Sequence, residues 1–99
     1  MLNIKKKIEN TSADFVLEGR LDTVTAPELE GALKEVLDGL SSLTMDFEKL
    51  EYISSAGLRV LLSAQKIMNK QGEMKIIHVN DTIMEIFEVT GFVDILTIE

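Results

Sequence analysis

Cysteine is absent from this 99-residue chain, which excludes disulfides, thiol catalysis and thiolate metal sites together. Histidine is nearly absent: His78 is the one imidazole. A transition-metal site would have to be completed by carboxylates, and carboxylates alone suit Mg²⁺ or Ca²⁺. The acids follow no EF-hand spacing, and neither a P-loop nor a G-x-G-x-x-G occurs. Cations are scarce too, with 10 Lys and Arg against 17 Asp and Glu and a formal net charge of −7. A nucleic-acid binder needs a surplus of cations to neutralise phosphates, so DNA, RNA and anionic membrane surfaces are not expected partners. Long apolar runs are also missing; none approaches the roughly 20 residues that span a bilayer. Met1 to Lys7 is basic but runs into Ile8-Glu9-Asn10 with no apolar segment. No secretory signal is read there, and the expected compartment is the cytoplasm.

What remains is an ordinary soluble composition, 45% hydrophobic and 27% charged. The length fits one domain over residues 1–99, able to bury roughly two-thirds of its unfolded surface. The acidic balance suits a protein partner with a basic surface, and equally a surface that only keeps the chain soluble.

The hydrophobic pattern divides the chain into alternating elements. Leu2 to Glu9 alternates around Ile4 and Ile8 with lysines between, as a strand with one wet face does. Asn10-Thr11-Ser12 is turn chemistry, and Asp14 to Gly19 reads as the returning strand of a hairpin. Thr25-Ala26-Pro27-Glu28 places a capping threonine, a first-turn proline and a glutamate at the start of a helix. Its apolar stripe is Leu29, Ala32, Leu33, Val36 and Leu37, and Gly39 ends it. Ser42 to Phe47 is a third strand and Glu48 to Ile53 a short loop. A second helix runs from about Ser55 to Lys70, with Arg59, Ser63, Lys66 and Lys70 on one narrow polar stripe. Its wide apolar arc marks deep burial or partial presentation to a partner. Met74 to Val79 is a fourth strand. A third helix, capped by Asn80, Asp81 or Thr82, carries Ile83, Ile86, Phe87 and Val89 and stops at Gly91. Phe92 to Ile98 reads as a last short strand. The order β-β-α-β-α-β-α-β predicts an α/β fold with about three helices and a mixed four- to five-stranded sheet. Its opening hairpin is antiparallel and its crossovers are right-handed. No repeat or linker is visible.

Catalysis finds little support. A lone strand histidine such as His78 is usually structural, and no G-x-S-x-G elbow exists to pair with it. A small hydrolase using Ser55 as nucleophile would lack a base. The informative stretch is instead Met45-Asp46-Phe47-Glu48-Lys49-Leu50-Glu51-Tyr52-Ile53-Ser54-Ser55-Ala56-Gly57-Leu58-Arg59-Val60. It is a strand, a loop, then small polar residues opening a helix. Ser54 or Ser55 can cap that helix, and Ala56 and Gly57 keep the approach open. A phosphate added here would meet unpaired N–H groups and the positive end of the helix dipole. A plain capping serine with small residues for close packing fits the same letters.

Tyr52-Ile53-Ser54-Ser55-Ala56-Gly57-Leu58 closely resembles the STAS domains of bacterial anti-sigma factor antagonists. Gly19-Arg20-Leu21-Asp22 resembles the family's Gly-Glu-Leu-Asp segment, and Val89-Thr90-Gly91-Phe92 its Thr/Ser-Gly-Leu segment. The three matches are in order and span nearly the whole chain. The resemblance implies that Ser55 takes the phosphorylated position, with Ser54, where many members have Asp, as second choice. It implies a docking face of Asp22, Arg20, Ser54, Gly57 and Leu58 around Ser55. It further implies no cofactor, and two partners: an anti-sigma factor with serine kinase activity and a PP2C-type phosphatase. The alternative within the same family is a STAS subunit that never switches, in a lipid-transport ABC system or a stressosome.

Overall fold

A computed structural model describes residues 1–99. The opening hairpin forms from β1 (Leu2–Glu9) and β2 (Ser12–Leu21), paired antiparallel from Leu2↔Gly19 to Glu9↔Ser12. Asn10 turns the chain with φ 55°, a left-handed conformation that asparagine tolerates better than most residues. Helix α1 (Ala26–Lys34) returns the chain to β3 (Ser42–Ile53), which lies parallel to β2. Helix α2 (Ser55–Gln71) then leads to β4 (Glu73–Ile77), parallel to β3. Helix α3 (Asp81–Thr90) and a 3₁₀ turn at Phe92–Asp94 complete the chain. The strand order in the sheet is β1-β2-β3-β4, so each crossover moves one place along the sheet.

Alternation along the strands decides where the core sits. Ala13, Phe15 and Leu17 of β2, Leu43, Met45 and Phe47 of β3, and Met74 and Ile76 of β4 are buried. Their register partners match, with Phe15 beside Met45 and Met45 beside Ile76, so these side chains share one face. The residues between them, Asp14, Val16, Thr44, Asp46, Lys75 and Ile77, are half-buried or exposed. Leu29 and Leu33 of α1, Leu61 and Met68 of α2, and Ile83 and Phe87 of α3 join the same buried cluster. Phe47 and Phe87 pack with ring centroids 6.4 Å apart and planes tilted by 39°, within the distance range of interacting aromatic pairs.

The expected layout holds with four local differences. First, Glu48 to Ile53 is the far half of β3 and not a loop. Register shifts between Val16 and Glu18 and between Gly19 and Arg20 set two extra β3 residues against β2. These bulges break the two-residue alternation: Phe47, Leu50 and Ile53 are buried three apart. Second, α1 stops at Lys34; Leu37 is buried beyond it, and Gly39 turns the chain at φ 78°. Third, β4 ends at Ile77 because His78 adopts φ 58°, its Nδ1 lying 3.0 Å from Asp46 Oδ1. Fourth, Phe92 to Ile98 gives only one bridge, Ile76 to Ile98, parallel. The Phe92 carbonyl there accepts bonds from the N–H groups of both Ile95 and Leu96, which coils the segment before it can extend.

Candidate functional site

The parallel pairing of β2 with β3 ends at Leu21↔Ile53, so Asp22 and Ser54 leave the sheet side by side. One further bond, Ser54 N–H to the Leu21 carbonyl at 2.9 Å, ties the start of α2 to the end of β2. Arg20, Asp22, Ser54 and Ser55 thus meet at one corner of the fold.

The two serines have different positions in that corner. Ser54 is the N-cap of α2, extended at φ −97° and ψ 175°, and its Oγ accepts from the Gly57 N–H at 3.3 Å. Ser55 is the first residue of the helix and is exposed. The cap is therefore Ser54, and the Ser55 hydroxyl takes no part in it. Gly57 and Leu58, expected on the docking face, are buried instead. Gly57 lies against Leu21 and Ile53, and Leu58 is only 6% exposed. Both support the corner from beneath because an apolar side chain, and a glycine that lets two others approach, gain more from the core than from solvent.

Asp22 is built into the loop before α1. Its Oδ1 accepts from the N–H groups of Val24 and Thr25, each at 3.0 Å. Thr25 Oγ1 reciprocates, accepting from the Asp22 N–H at 2.8 Å and donating to the Arg20 carbonyl at 2.8 Å. This is a capping box set three residues upstream of the expected one. Thr25 does not cap α1: its backbone is already helical and its buried hydroxyl is committed to residues 20 and 22. The Thr25 N–H foremost, with the Thr25 hydroxyl and the Val24 N–H, holds the Asp22 carboxyl below the usual carboxylate range; partial burial opposes them. The role of Thr25 was missed from sequence, although the Asp-x-x-Thr spacing of Asp22 and Thr25 carries the signal.

Two more residues shape the corner. The Arg20 guanidinium lies 4.4 Å over the Tyr52 ring, with its Nε 3.9 Å from Asp22 Oδ2. Arg59 stands exposed one turn along α2 from Ser55, on the wall of a groove with Thr23, Pro27, Glu30, Ala56 and Ser63. Arg20 and Arg59 are the chain's two arginines. The corner of this acidic protein therefore holds both of its guanidinium groups. His78 lies elsewhere, against Asp46, and no three His, Asp or Glu side chains converge as metal ligands would. No helix is long and apolar enough to cross a membrane.

Comparison with known proteins bears on the family and the fold. The family model described as STAS domain matches residues 3–99. The anti-sigma-B factor antagonist of Staphylococcus aureus is 32% identical over 97 residues, covering 96% of this chain and 90% of its own. The Bordetella bronchiseptica protein BtrV is 37% identical over 84 residues, covering 83% of this chain and 72% of its own. Among solved structures, an anti-sigma factor antagonist from Mycobacterium paratuberculosis superposes with a TM-score of 0.89 at 21% identity, over 99% of this chain and 85% of that one. At that identity the superposition speaks to the fold.

Proposed function

The chain belongs to the STAS domain family, and from that premise we propose that it is an anti-sigma factor antagonist switched by phosphorylation of Ser55. Unphosphorylated, it binds an anti-sigma factor with serine kinase activity at the corner of Asp22, Arg20, Ser54 and Ser55, and so frees a sigma factor. The bound kinase transfers the γ-phosphoryl group of ATP to Ser55 Oγ, releasing ADP and the hydroxyl proton, and the complex ends. A PP2C-type phosphatase hydrolyses the phosphoserine and restores binding. The protein itself catalyses nothing in this cycle, and both partners meet it in the cytoplasm.

The observation that carries this reading is the division of labour between the adjacent serines. Ser54 is engaged as the cap, while Ser55 stands exposed at the first helical position beside the β2 end. Magnitudes favour a change in docking over a change in fold. A phosphoserine brings about −1.5 to −2 charges near neutral pH. At an exposed helix N-terminus such charge stabilises by about 0.3–1 kcal/mol. Enclosed in an interface without a counter-charge it costs several kcal/mol, and roughly 4 kcal/mol is a thousandfold in affinity.

The test is to incubate the protein with its histidine-kinase-like ATPase partner and ATP and to measure intact mass. One added phosphate that disappears in Ser55→Ala is the expected result. No added mass, or a phosphate that survives Ser55→Ala, would sink the assignment. Ser55→Asp should keep the wild-type melting temperature within a few degrees and lose kinase binding; tight binding by that variant would contradict the docking argument.

A further inference from the structure

We propose that Arg59 is the intramolecular counter-ion of a phosphate on Ser55. The proposal rests on the reading of Ser55 as the modified residue and says what happens to the phosphate once it is there. Residues four apart on a helix have Cβ atoms about 5–6 Å from each other, on one face. Helical side chains also lean toward the N-terminus, so Arg59 covers the turn that begins with Ser55. Both residues are exposed, so neither must leave a packed position to meet the other.

Arg59 is also the uncommitted arginine of the pair. Arg20 stacks on Tyr52 and lies beside Asp22. The ion pairs of the structure use Lys6, Lys7, Arg20, Lys34, Lys49, Lys75 and His78, and Arg59 enters none of them. Glu30 stands across the same groove without pairing to it. A planar guanidinium matches a phosphate through two parallel N–H bonds, which an ammonium at the same position cannot supply. The contact would have a second effect. An Arg59 drawn onto its own phosphate is withdrawn from the docking surface, so modification changes the corner by more than the phosphate's charge.

The experiment places phosphoserine at position 55 by genetic encoding and follows its second ionisation by ³¹P NMR titration at low salt. Four proteins are compared: the phosphoprotein as it stands, and the same with Arg59→Gln, Arg59→Lys or Arg20→Gln. A nearby cation favours the dianion and lowers this pKa. Arg59→Gln should therefore raise the midpoint by roughly half a pH unit, the size an exposed ion pair produces. Arg59→Lys should recover part of that shift, Arg20→Gln should leave the midpoint in place, and the difference should shrink in 1 M salt. Identical midpoints for the wild type and Arg59→Gln overturn the proposal, as does a shift on Arg20→Gln in place of Arg59→Gln. Because no kinase is involved, a flat titration removes the counter-ion and leaves the switch intact. An absent phosphate in the kinase assay removes the switch itself.

Discussion

Two glycines in two helices should answer the same substitution with opposite signs. Gly31 sits in the interior of α1, and a methyl group added there meets nothing within 4 Å. Gly57 sits in the first turn of α2, and a methyl there would lie 2.7 Å from Leu21 Cγ, 2.9 Å from Ile53 Cγ1 and 3.0 Å from Leu21 Cδ2. Carbon atoms rest about 3.5–4.0 Å apart, so all three contacts fall inside the repulsive wall. Neither neighbour has space to retreat, because Leu21 is fully buried and Ile53 is 2% exposed.

Replacing glycine by alanine in a helix interior gains up to about 1 kcal/mol, since the unfolded chain loses freedom it would otherwise recover. At Gly31 nothing opposes that gain, and Gly31→Ala should stabilise by about 0.5–1 kcal/mol. At Gly57 an overpacking cost of about 1–3 kcal/mol opposes it, leaving a net loss of about 1 kcal/mol. For a domain of this size each kcal/mol moves Tm by about 4–8 °C, so the two variants should melt on either side of the wild type. Urea unfolding at equilibrium, with coincident probes to establish two-state behaviour, gives the free energies directly. A Gly57→Ala variant as stable as Gly31→Ala would refute the reasoning. It would mean that α2 can slide off Leu21 and Ile53 freely, and that the Ser54 to Leu21 bond holds nothing in place.

Three further outcomes follow from the same corner and the core. Ser54→Ala should lose about 0.5–1 kcal/mol as its cap bond goes, the low side of the usual range because that bond is 3.3 Å long, while Ser55→Ala should stay within about 0.5 kcal/mol of wild type in the same urea series. Asp22 has a depressed pKa when folded, so its contribution is present above the unfolded value of about 3.9 and fades as pH falls through the folded value. The stability gap between wild type and Asp22→Asn should therefore narrow from pH 5 to pH 2 in urea midpoints; a constant or widening gap would contradict the capping box. Phe87→Ala removes a fully buried ring packed on Phe47 and should cost about 3–5 kcal/mol, lowering the near-UV melting transition by more than 10 °C.

The elements that sequence made legible were those whose apolar spacing matched one period throughout. β1, β2, α2 and α3 fall where the pattern puts them; β2, α2 and α3 each bury one face, while β1 is an edge strand on which only Leu2 is fully buried and Ile8 is exposed. The far half of β3 was hidden because two bulges convert alternation into the three-residue spacing of Phe47, Leu50 and Ile53. Phe92, Val93, Ile95 and Ile98 have the apolar pattern of a last strand but are only partly buried or exposed. Spacing cannot tell a coiled surface segment from an edge strand. The α1 cap was misplaced for a different reason. Threonine before Ala-Pro-x is a good cap by type, and that pattern outweighs the Asp-x-x-Thr spacing through which Asp22 takes the Thr25 hydroxyl first.

Ser55 differs from its neighbour in what depends on its hydroxyl. Every support of the corner is anchored elsewhere: the capping box on Asp22 and Thr25, the strand-to-helix tie on Leu21 and Ser54, and the close approach of α2 at Gly57. Placing a charge on Ser54 would remove the hydroxyl proton and crowd the group that holds the Gly57 N–H, so that modification would act on the helix start itself. A charge on Ser55 touches none of these bonds. The proposed switch, which leaves the fold unchanged while altering the surface, is for that reason placed on the second serine, and the letters Ser-Ser conceal this asymmetry until the cap is assigned.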